Sequence, residues 1–387
     1  WDIVGTGDFN QDGFPEIVLQ NPANSSISFW FLNGTTQVQS EALLTGKGDA
    51  NWKVVGIGDF NKDGKTDVAA RGVDGFVRVY LQTTPAKWVT VKIEAPHHDG
   101  TDVADIDKDG DPDIVINGLW YETPSDPVKG VWTKHDYAPK WYQQKTGLKG
   151  SWFDNNTKVA VNDIDEDGWT DIFVSNAENS GYSICWYKNP GKDFDRNWQE
   201  HEIGYMDFAH TLLIADMDND GDKDVVSGSL ILYNDPNPEG YHPVTIFVNK
   251  GNNLDWEKQI IGDRACYSGT AGDLDNDGDL DLSAMRGYPG TLRLYENLGD
   301  GSFSDRATPV QVAGGVARIA AGERCSSFVK TDGSLWAMGY NYYGQLGDGT
   351  TVERGRPVPV AQDVVEVAAG NYHTMFVKAA ATLWAMG

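Results

Sequence analysis

The chain has 387 residues, a formal net charge of −26, 11 % aromatic residues and 40 % hydrophobic residues. Nucleic-acid binding needs clustered Lys and Arg, so the strongly negative charge argues against a nucleic-acid partner. A membrane-spanning helix needs about 18 consecutive apolar residues, and the sequence contains no such run, so no membrane insertion is predicted. The 44 Gly and 16 Pro indicate many turns and, with enough apolar residues for a large core, predict an all-β fold.

One ten-residue pattern recurs six times. The copies are GDFNQDGFPE from Gly7, GDFNKDGKTD from Gly58, ADIDKDGDPD from Ala104, NDIDEDGWTD from Asn162, ADMDNDGDKD from Ala215 and GDLDNDGDLD from Gly272. Their first Asp residues are 46 to 58 residues apart. This spacing is typical of a β-propeller with one four-stranded blade per repeat.

The second repeat shows the predicted blade most clearly. Alternating apolar residues predict strands over 52–58, 67–71, 76–82 and 88–93, with the Asp-rich loop between the first two. Trp residues open the fourth strands of three repeats, and we expect their rings to pack between blades. They are Trp88, Trp198 and Trp256.

From about residue 310 the repeat changes type. Residues 316–339 are echoed by 365–387, with the sequences AAG and WAMG recurring at a period of 48 and no Asp-rich loop. We expect 1–309 to hold six loop-bearing blades and 310–387 to hold further blades, with Trp336 and Trp384 in their core. Six blades plus one complete repeat would close a seven-bladed ring. Eight blades, or a second truncated propeller, are the alternatives.

Each Asp-rich loop offers side-chain oxygens at positions 1, 3, 5 and 9, a Gly at position 6 and a backbone carbonyl at position 7. Calcium takes six to eight oxygen ligands, and a sharp bend at Gly lets alternate residues point inward together. We predict about six calcium ions, with weaker binding in the first two loops, held by Asp8, Asn10, Asp12, Phe14, Glu16, Asp59, Asn61, Asp63, Lys65, Asp67, Asp105, Asp107, Asp109, Asp111, Asp113, Asp163, Asp165, Asp167, Trp169, Asp171, Asp216, Asp218, Asp220, Asp222, Asp224, Asp273, Asp275, Asp277, Asp279 and Asp281.

The loops hold 26 of the 57 acidic residues, and these carboxylates repel one another unless a divalent cation joins them. Calcium is therefore expected to stabilise the fold. Extracellular calcium modules bind at roughly 10⁻⁴ to 10⁻³ M, which predicts a secreted or cell-surface protein. The chain starts at Trp1 without Met and stops inside a repeat, so we expect a processed or partial chain.

The three Cys residues, Cys185, Cys266 and Cys325, form no C-x-x-C pair and no zinc-ligand spacing. We expect three buried or partly buried thiols. One disulfide with a free Cys is the alternative, because spacing alone does not exclude it.

A ligand site is predicted at the end of the first strands opposite the Asp-rich loops. Counting six or seven residues back from each first Asp gives aromatic, imidazole and amide side chains that suit sugars. These are Trp1, Trp52, His98, Asn156, His210 and Tyr267. The alternative is that these side chains only pack against neighbouring blades.

The six loops with their following strands resemble FG-GAP/VCBS-type repeats over roughly 1–305, and SLWAMGYNYYGQLGDGT near the C terminus resembles regulator-of-chromosome-condensation repeats. Both families imply β-propellers, and the first implies calcium at the loop positions named above. Their functions include glycan-binding lectins, adhesion modules and polysaccharide lyases. We therefore expect a carbohydrate- or protein-binding adhesion module, with a purely structural module as one alternative.

The other alternative is a lyase that acts on an anionic glycan. Elimination needs a base and a cationic group that neutralises the uronate carboxylate. The candidates near the inner-strand ends are His98, His210, Tyr267, Arg264 and Arg286.

Overall fold

The computed structural model describes residues 2–13, 15–20, 27–33, 36–44, 52–72, 75–84, 87–95, 100–143, 156–194, 198–231, 240–273, 278–286, 292–299, 302–305, 314–321, 325–339, 341, 344–351, 354–369 and 374–386. The chain divides into two compact units, 1–306 and 307–387. Strands dominate both, and two 3₁₀ turns, Pro139–Trp141 and Gly191–Asp193, are the only helical segments in the part that the structure describes.

The first unit contains six antiparallel four-stranded sheets, and in each the strands pair in chain order. The strands are β1 (Asp2–Gly7), β2 (Glu16–Gln20), β3 (Ile27–Asn33), β4 (Thr36–Leu44), β5 (Trp52–Gly58), β6 (Asp67–Gly72), β7 (Phe76–Thr84), β8 (Lys87–Glu94), β9 (Thr101–Ala104), β10 (Asp113–Ile116), β11 (Leu119–Glu122), β12 (Thr133–Asp136), β13 (Thr157–Asn162), β14 (Asp171–Asn176), β15 (Ser183–Lys188), β16 (Gln199–Tyr205), β17 (Ala209–Ala215), β18 (Asp224–Ser229), β19 (Val244–Asn249), β20 (Trp256–Gly262), β21 (Ser268–Gly272), β22 (Asp281–Met285), β23 (Leu292–Asn297) and β24 (Phe303–Asp305).

The second unit contains one four-stranded and one three-stranded antiparallel sheet among its described residues. The strands are β25 (Val316–Ala321), β26 (Cys325–Lys330), β27 (Leu335–Gly339), β28 (Arg354–Ala361), β29 (Val364–Ala369), β30 (Thr374–Lys378) and β31 (Leu383–Met386). The four strands predicted for the second repeat are confirmed as β5 to β8. The all-β propeller architecture is likewise confirmed, whereas the number of blades stays a prediction.

The first strands of consecutive sheets lie side by side in the first unit, with contacts from β1 to β5, β9, β13, β17 and β21 in turn. Their close approach depends on small residues. A Cβ atom on Gly56 of β5 would lie 2.2 Å from Val103 of β9, which no side chain could accept without a shift. The first strand of each sheet is therefore the innermost strand of its blade.

Apolar clusters lie between neighbouring sheets rather than at one centre. In the first of them Phe9 and Phe29 pack with Val54 and Val68 of the next sheet, and Trp88 stacks on Phe29 with ring centroids 5.7 Å apart. Each such buried side chain contributes about 1.5–3 kcal/mol to stability. The blades are thus held together in series, each by the next.

The predicted packing of the Trp residues is confirmed for the first unit and wrong for one residue of the second. Trp198 and Trp256 pack in the clusters between neighbouring sheets, as Trp88 does. Trp384, by contrast, is 52 % exposed because its ring stacks on Phe376 of its own sheet. Trp336 is partly buried, beneath the ammonium group of Lys330.

Cys185 and Cys266 are buried free thiols, as predicted, and the side chain of Cys325 lies outside the described residues. Burial raises the pKa of the Cys185 thiol to about 12. No helix among the described residues is long and apolar enough to cross a membrane.

Candidate metal centres and ligand site

The Asp-rich loops share one backbone conformation that brings their carboxylates together. Gly at position 6 has a positive φ in all six loops, from 80° at Gly64 to 101° at Gly110 and Gly278. Position 4 also has a positive φ in the five loops where the structure describes it, although none of its residues is Gly. These residues are Gln11, Lys62, Lys108, Glu166 and Asn219. Two left-handed residues within three positions make the loop turn back on itself.

Hydrogen bonds inside the loops fix the first two acidic positions. In the third loop the backbone N–H of Gly110 donates to Asp105 Oδ2 at 3.0 Å, and that of Asp109 donates to Asp105 Oδ1 and Asp107 Oδ1 at 3.0 Å each. The N–H of the position 6 Gly makes the same bond to the first Asp in the other five loops. These hydrogen bonds therefore orient the carboxylates without a bound cation.

Four loops bring three carboxylates to within 4.8 Å of one another. Positions 1, 3 and 9 meet in the third, fourth and fifth loops, whereas positions 1, 5 and 9 meet in the first, where Asn10 occupies position 3. The groups are Asp105, Asp107 and Asp113; Asp163, Asp165 and Asp171; Asp216, Asp218 and Asp224; and Asp8, Asp12 and Glu16. These groups could each hold a metal ion.

Unpaired carboxylate oxygens test whether a cation fits. Glu16 Oε1, Asp163 Oδ1 and Asp216 Oδ1 are buried and make no hydrogen bond. A buried unsatisfied acceptor costs about 1–3 kcal/mol, and more when it is charged. A hard divalent cation ligated by these oxygens would remove that cost, so the residues present fit calcium.

Position 9 also has a structural role that the sequence did not indicate. Asp113 Oδ2 accepts a hydrogen bond from the N–H of Ile106 at 3.0 Å, and Oδ1 accepts one from Thr123, just beyond the third strand, at 2.9 Å. The same pair of bonds forms at Asp67, Asp171 and Asp224. This carboxylate therefore ties the loop to the third strand as well as facing the metal cluster.

The buried position 9 carboxylates resist ionisation without a cation. Burial, outweighing the two backbone hydrogen bonds, raises the pKa of Asp113 to about 8 and the pKa values of Asp67 and Asp171 to about 7. The pKa of Asp224 rises to about 6 for the same reason. A bound divalent cation would favour the ionised form of each.

In two of the loops, a lysine of the same sheet forms ion pairs with the loop acids. In the second loop Lys65 Nζ lies 2.6 Å from Asp63 Oδ2, and the three acids of this loop do not form one of the compact groups among the described residues. In the fourth loop Lys188 forms ion pairs with Asp165 and Asp167. Calcium must compete with an ammonium group at both places.

Position 4 links four of the loops to the next blade. Gln11 Nε2 donates to the carbonyl of Gly64 at 2.7 Å, and Lys62 Nζ donates to the carbonyl of Asp109 at 2.8 Å. Lys108 Nζ lies 4.7 Å from the ring centroid of Trp169, and Asn219 donates to Asp279. The loops at this end of the first unit form a chain of contacts from blade to blade.

Three predicted metal ligands, Phe14, Asp275 and Asp277, lie outside the described residues. The remaining acids of the sixth loop follow the common plan: Asp273 accepts a hydrogen bond from Gly278, and Asp281 accepts one from the N–H of Asn297 at 2.9 Å.

At the opposite ends of the first strands, the structure brings three of the predicted ligand-binding residues together. The rings of His210 and Tyr267 stack with centroids 4.0 Å apart, and His210 Nδ1 contacts the carbonyl oxygen of Tyr267 at 2.7 Å. Asn156 Nδ2 donates to Glu178 Oε1 at 3.2 Å, and the same oxygen lies 3.9 Å from His210 Nε2. We call these four residues the inner-end cluster.

Exposure differs within the inner-end cluster. Asn156 and His210 are buried, whereas Tyr267 is 39 % exposed. Sequence reasoning missed Glu178, which follows the second strand of its sheet and is brought in only by the pairing of β13 with β14. Trp1 and His98 lie outside the described residues, as does the side chain of Trp52.

The structure describes four of the five predicted lyase candidates, and the catalytic role of the set stays a prediction. His210 Nε2 is buried, and Arg264 lies 3.5 Å from its neighbour Asp263 and forms a backbone bridge with His242. Arg286 follows the end of β22 and is partly buried. Within this set, the rings of His210 and Tyr267 contact each other.

Comparison with known families and structures gives several matches. Residues 8–70, 59–116 and 163–227 match the FG-GAP-like repeat, and 332–377 match the regulator of chromosome condensation (RCC1) repeat. Cartilage acidic protein 1 of Xenopus tropicalis is 27 % identical over 197 residues, which are 49 % of this chain and 29 % of that protein. The chain therefore spans less than a third of the length of this relative.

Two solved structures are similar at low identity. The computationally designed Ika8 protein shares 12 % identity at a TM-score of 0.39, over 99 % of this chain and 95 % of the designed one. BBS1N in complex with ARL6DN shares 13 % identity at a TM-score of 0.42, over 86 % of this chain and 89 % of that one.

Proposed function

From a chain built of FG-GAP-like repeats followed by an RCC1 repeat, we propose an extracellular, calcium-stabilised β-propeller that serves as a glycan-binding, adhesion-like module. The observation that carries the calcium part is the set of four compact carboxylate groups, three of which contain a buried, unpaired oxygen. We infer about six ions, one for each Asp-rich loop.

The extracellular location follows from the chemistry of the loops. Sites of this affinity class fill at extracellular calcium concentrations and stay empty at cytosolic ones. The name of the relative, Cartilage acidic protein 1, is consistent with an extracellular tissue.

The glycan part rests on the inner-end cluster. The partly exposed ring of Tyr267 can stack on a sugar, while Glu178, Asn156 and His210 hold its surroundings in place through the contacts described above. A preformed polar and aromatic site at the inner ends of three neighbouring blades suits a hydroxyl-rich ligand.

A glycan array probed with and without calcium tests this proposal. We expect calcium-dependent binding to a defined sugar class, and weaker binding by Tyr267→Ala. Tyr241→Ala serves as the matched control, because Tyr241 is a 64 % exposed tyrosine that precedes the third strand of its sheet. If no glycan on the array binds, the glycan part of the proposal is contradicted, and a protein ligand or a purely structural role is favoured.

Equilibrium dialysis tests the calcium part separately. We expect saturation near six ions per chain, and close to four if the ammonium groups of Lys65 and Lys188 keep calcium out of their loops. Fewer than two ions would contradict the metal assignment. If the array shows binding to polyuronates, the ultraviolet absorbance of unsaturated uronates tests the lyase alternative with the same samples.

A further inference from the structure

The first unit contains a cavity, here called the flank cavity, that is not lined by the residues of the inner-end cluster. Its volume is about 280 Å³, and it lies between the third and fourth sheets. Lys140 and Trp141 of the 3₁₀ turn form one wall, while β15 and β16 form the other. Drug-sized ligands need about 300–1,000 Å³, so this cavity suits a smaller molecule.

Paired strands place acids and hydrogen-bonding groups on one face of this cavity. Cys185 lies opposite Glu202, and Tyr187 lies opposite Glu200, so all four side chains point to the same side of the sheet. Glu202 is exposed and accepts a hydrogen bond from Ser183 Oγ at 2.9 Å.

A relay of hydrogen bonds fixes Glu200. Trp141 Nε1 donates to the Tyr187 hydroxyl at 2.7 Å, which donates to Glu200 Oε2 at 2.9 Å, and Lys140 Nζ lies 2.5 Å from Oε1. These bonds outweigh the effect of burial and lower the pKa of Glu200. The carboxylate is therefore held charged and oriented beside an ammonium donor.

Aromatic rings complete the cavity. Trp141 is buried and Tyr182 is partly buried, and their ring centroids lie 5.9 Å apart. The lining thus offers the partly exposed ring of Tyr182 together with carboxylate, hydroxyl and ammonium groups, a combination that suits the alternating apolar and hydroxyl faces of a sugar ring. One Lys against two Glu leaves a charge of −1, which disfavours an anionic ligand.

We propose that this flank cavity binds one neutral or amino-bearing sugar ring and excludes uronates. The proposal rests on the glycan class assigned above, and adds a second sugar site between the third and fourth blades. Two sugar sites on one module would raise the affinity for a branched or repeating glycan, since the second contact becomes intramolecular.

Saturation-transfer NMR with monosaccharides on the calcium-loaded full chain tests the flank cavity. The probes are a set of neutral hexoses, glucosamine and glucuronate. We expect neutral hexoses and glucosamine to bind with Kd near 1 mM, about −4 kcal/mol, and glucuronate at least tenfold more weakly. Failure of all neutral and amino sugars to bind would overturn the proposal.

Two variants assign any binding to this cavity. Tyr182→Ala should weaken hexose binding at least tenfold, and Glu202→Gln should weaken glucosamine more than neutral hexoses while improving glucuronate. Glu202 is exposed, so Glu202→Gln reports even if Tyr182→Ala folds poorly. Binding that survives both variants but is lost in Tyr267→Ala would overturn the flank cavity and leave the inner-end site intact. If monosaccharide binding survives in the flank-cavity variants and in Tyr267→Ala, neither the flank cavity nor the inner-end cluster is a monosaccharide site.

Discussion

The two units shift the pKa of an acidic side chain in opposite directions. In the first unit burial raises the pKa of Asp113 to about 8. In the second unit Asp348 is only partly buried, and hydrogen bonds from Thr350 and Arg354 outweigh burial and lower its pKa. Arg354 Nε lies 2.6 Å from Asp348 Oδ2, so the guanidinium serves as a built-in cation.

This difference separates two kinds of β-repeat. The loop that follows β27 is held by Asn341, whose Oδ1 accepts from the N–H of Leu346 at 2.8 Å and whose Nδ2 donates to Asp348 Oδ1 at 3.1 Å. In the Asp-rich loops of the first unit, carboxylates lie beside other carboxylates. In this loop of the second unit, the carboxylate of Asp348 lies beside the amide of Asn341 and the guanidinium of Arg354. On the proposed function, the first unit takes its cations from solution, whereas the second carries its own in Arg354.

Calcium removal should have the largest effect, and only on the first unit. With Kd near 10⁻⁴ M and about 2 mM calcium, each site contributes about 1.8 kcal/mol, so the four compact groups together contribute about 7 kcal/mol. For a unit of about 300 residues this lowers Tm by about 10 °C. Calorimetry with and without chelator measures it.

The reference for this experiment is the second unit, whose transition should not move. A Tm of the first unit that is unchanged in chelator would remove the structural role of calcium. Equal shifts of both units would show that they unfold together, and would remove the comparison between them.

pH should act on the two units with opposite signs in calcium-free buffer. The folded pKa values of Asp67, Asp113 and Asp171 are raised, so their contribution to stability is present below pH 4 and is lost as pH rises to about 8. The pKa of Asp348 is lowered, so its contribution is present above pH 4 and is lost on further acidification.

Tm measured from about pH 2 to about pH 8 checks these signs, because the contribution of Asp348 changes only below about pH 4. Without calcium the first unit should lose several degrees across the range, and saturating calcium should reverse the trend because calcium binds the ionised carboxylates. A calcium-free first unit that gains stability as pH rises would contradict the burial of these acids.

Asp107→Asn and Asp348→Asn provide a matched pair of substitutions. Asn is tolerated at position 3, since Asn10 Oδ1 accepts the same hydrogen bond from Asp12 at 2.9 Å. Asp107→Asn should therefore cost about 1 kcal/mol in calcium and nothing without it, because only the cation needs the charge. Asp348→Asn leaves Arg354 without its partner and should cost about 1–3 kcal/mol in both buffers.

Urea titration of both variants measures these changes. A cost of Asp107→Asn that is the same with and without calcium would mean that the carboxylate is structural and not a ligand.

The sequence predicted the repeated elements and missed the contacts between them. Gly at position 6 and the alternating acids predict a local turn. Because the pattern occurs six times at blade-sized spacing, the loops and the four-stranded blades could be predicted from the sequence. The N–H of Thr123, the residue after the third strand, donates to Asp113 Oδ1 at the start of the second strand. Glu178 reaches Asn156 only through strand pairing. Neither contact leaves a periodic signal, because each depends on how neighbouring strands are set in space.

Position 4 is a further case of this limit. Its residues differ in charge and size from loop to loop, so no shared pattern marked them. The described ones share a left-handed backbone, and four of them contact the next blade. The flank cavity, formed between two sheets, was unpredictable for the same reason.

Lys62→Gln should give the smallest effect and the sharpest test of the contacts between loops. Lys62 Nζ lies 2.9 Å from Asp111 Oδ2 and 3.1 Å from Asp109 Oδ1, and its side chain is 43 % exposed. An exposed pair of this kind contributes up to about 1 kcal/mol, so Lys62→Gln should cost that much in calcium-free buffer. Lys87→Gln, an exposed change on the fourth strand of the same sheet, is the control.

In the presence of calcium, Lys62→Gln should stabilise the first unit instead of destabilising it. Removing the ammonium group from beside Asp109 and Asp111 leaves the third loop more negative, so its affinity for calcium should rise, by up to about tenfold for a 1.4 kcal/mol gain. Calcium titration calorimetry of Lys62→Gln beside Lys87→Gln measures this. If both variants bind calcium as the parent chain does, position 4 only packs against the neighbouring blade, and each loop of the first unit binds its ion independently.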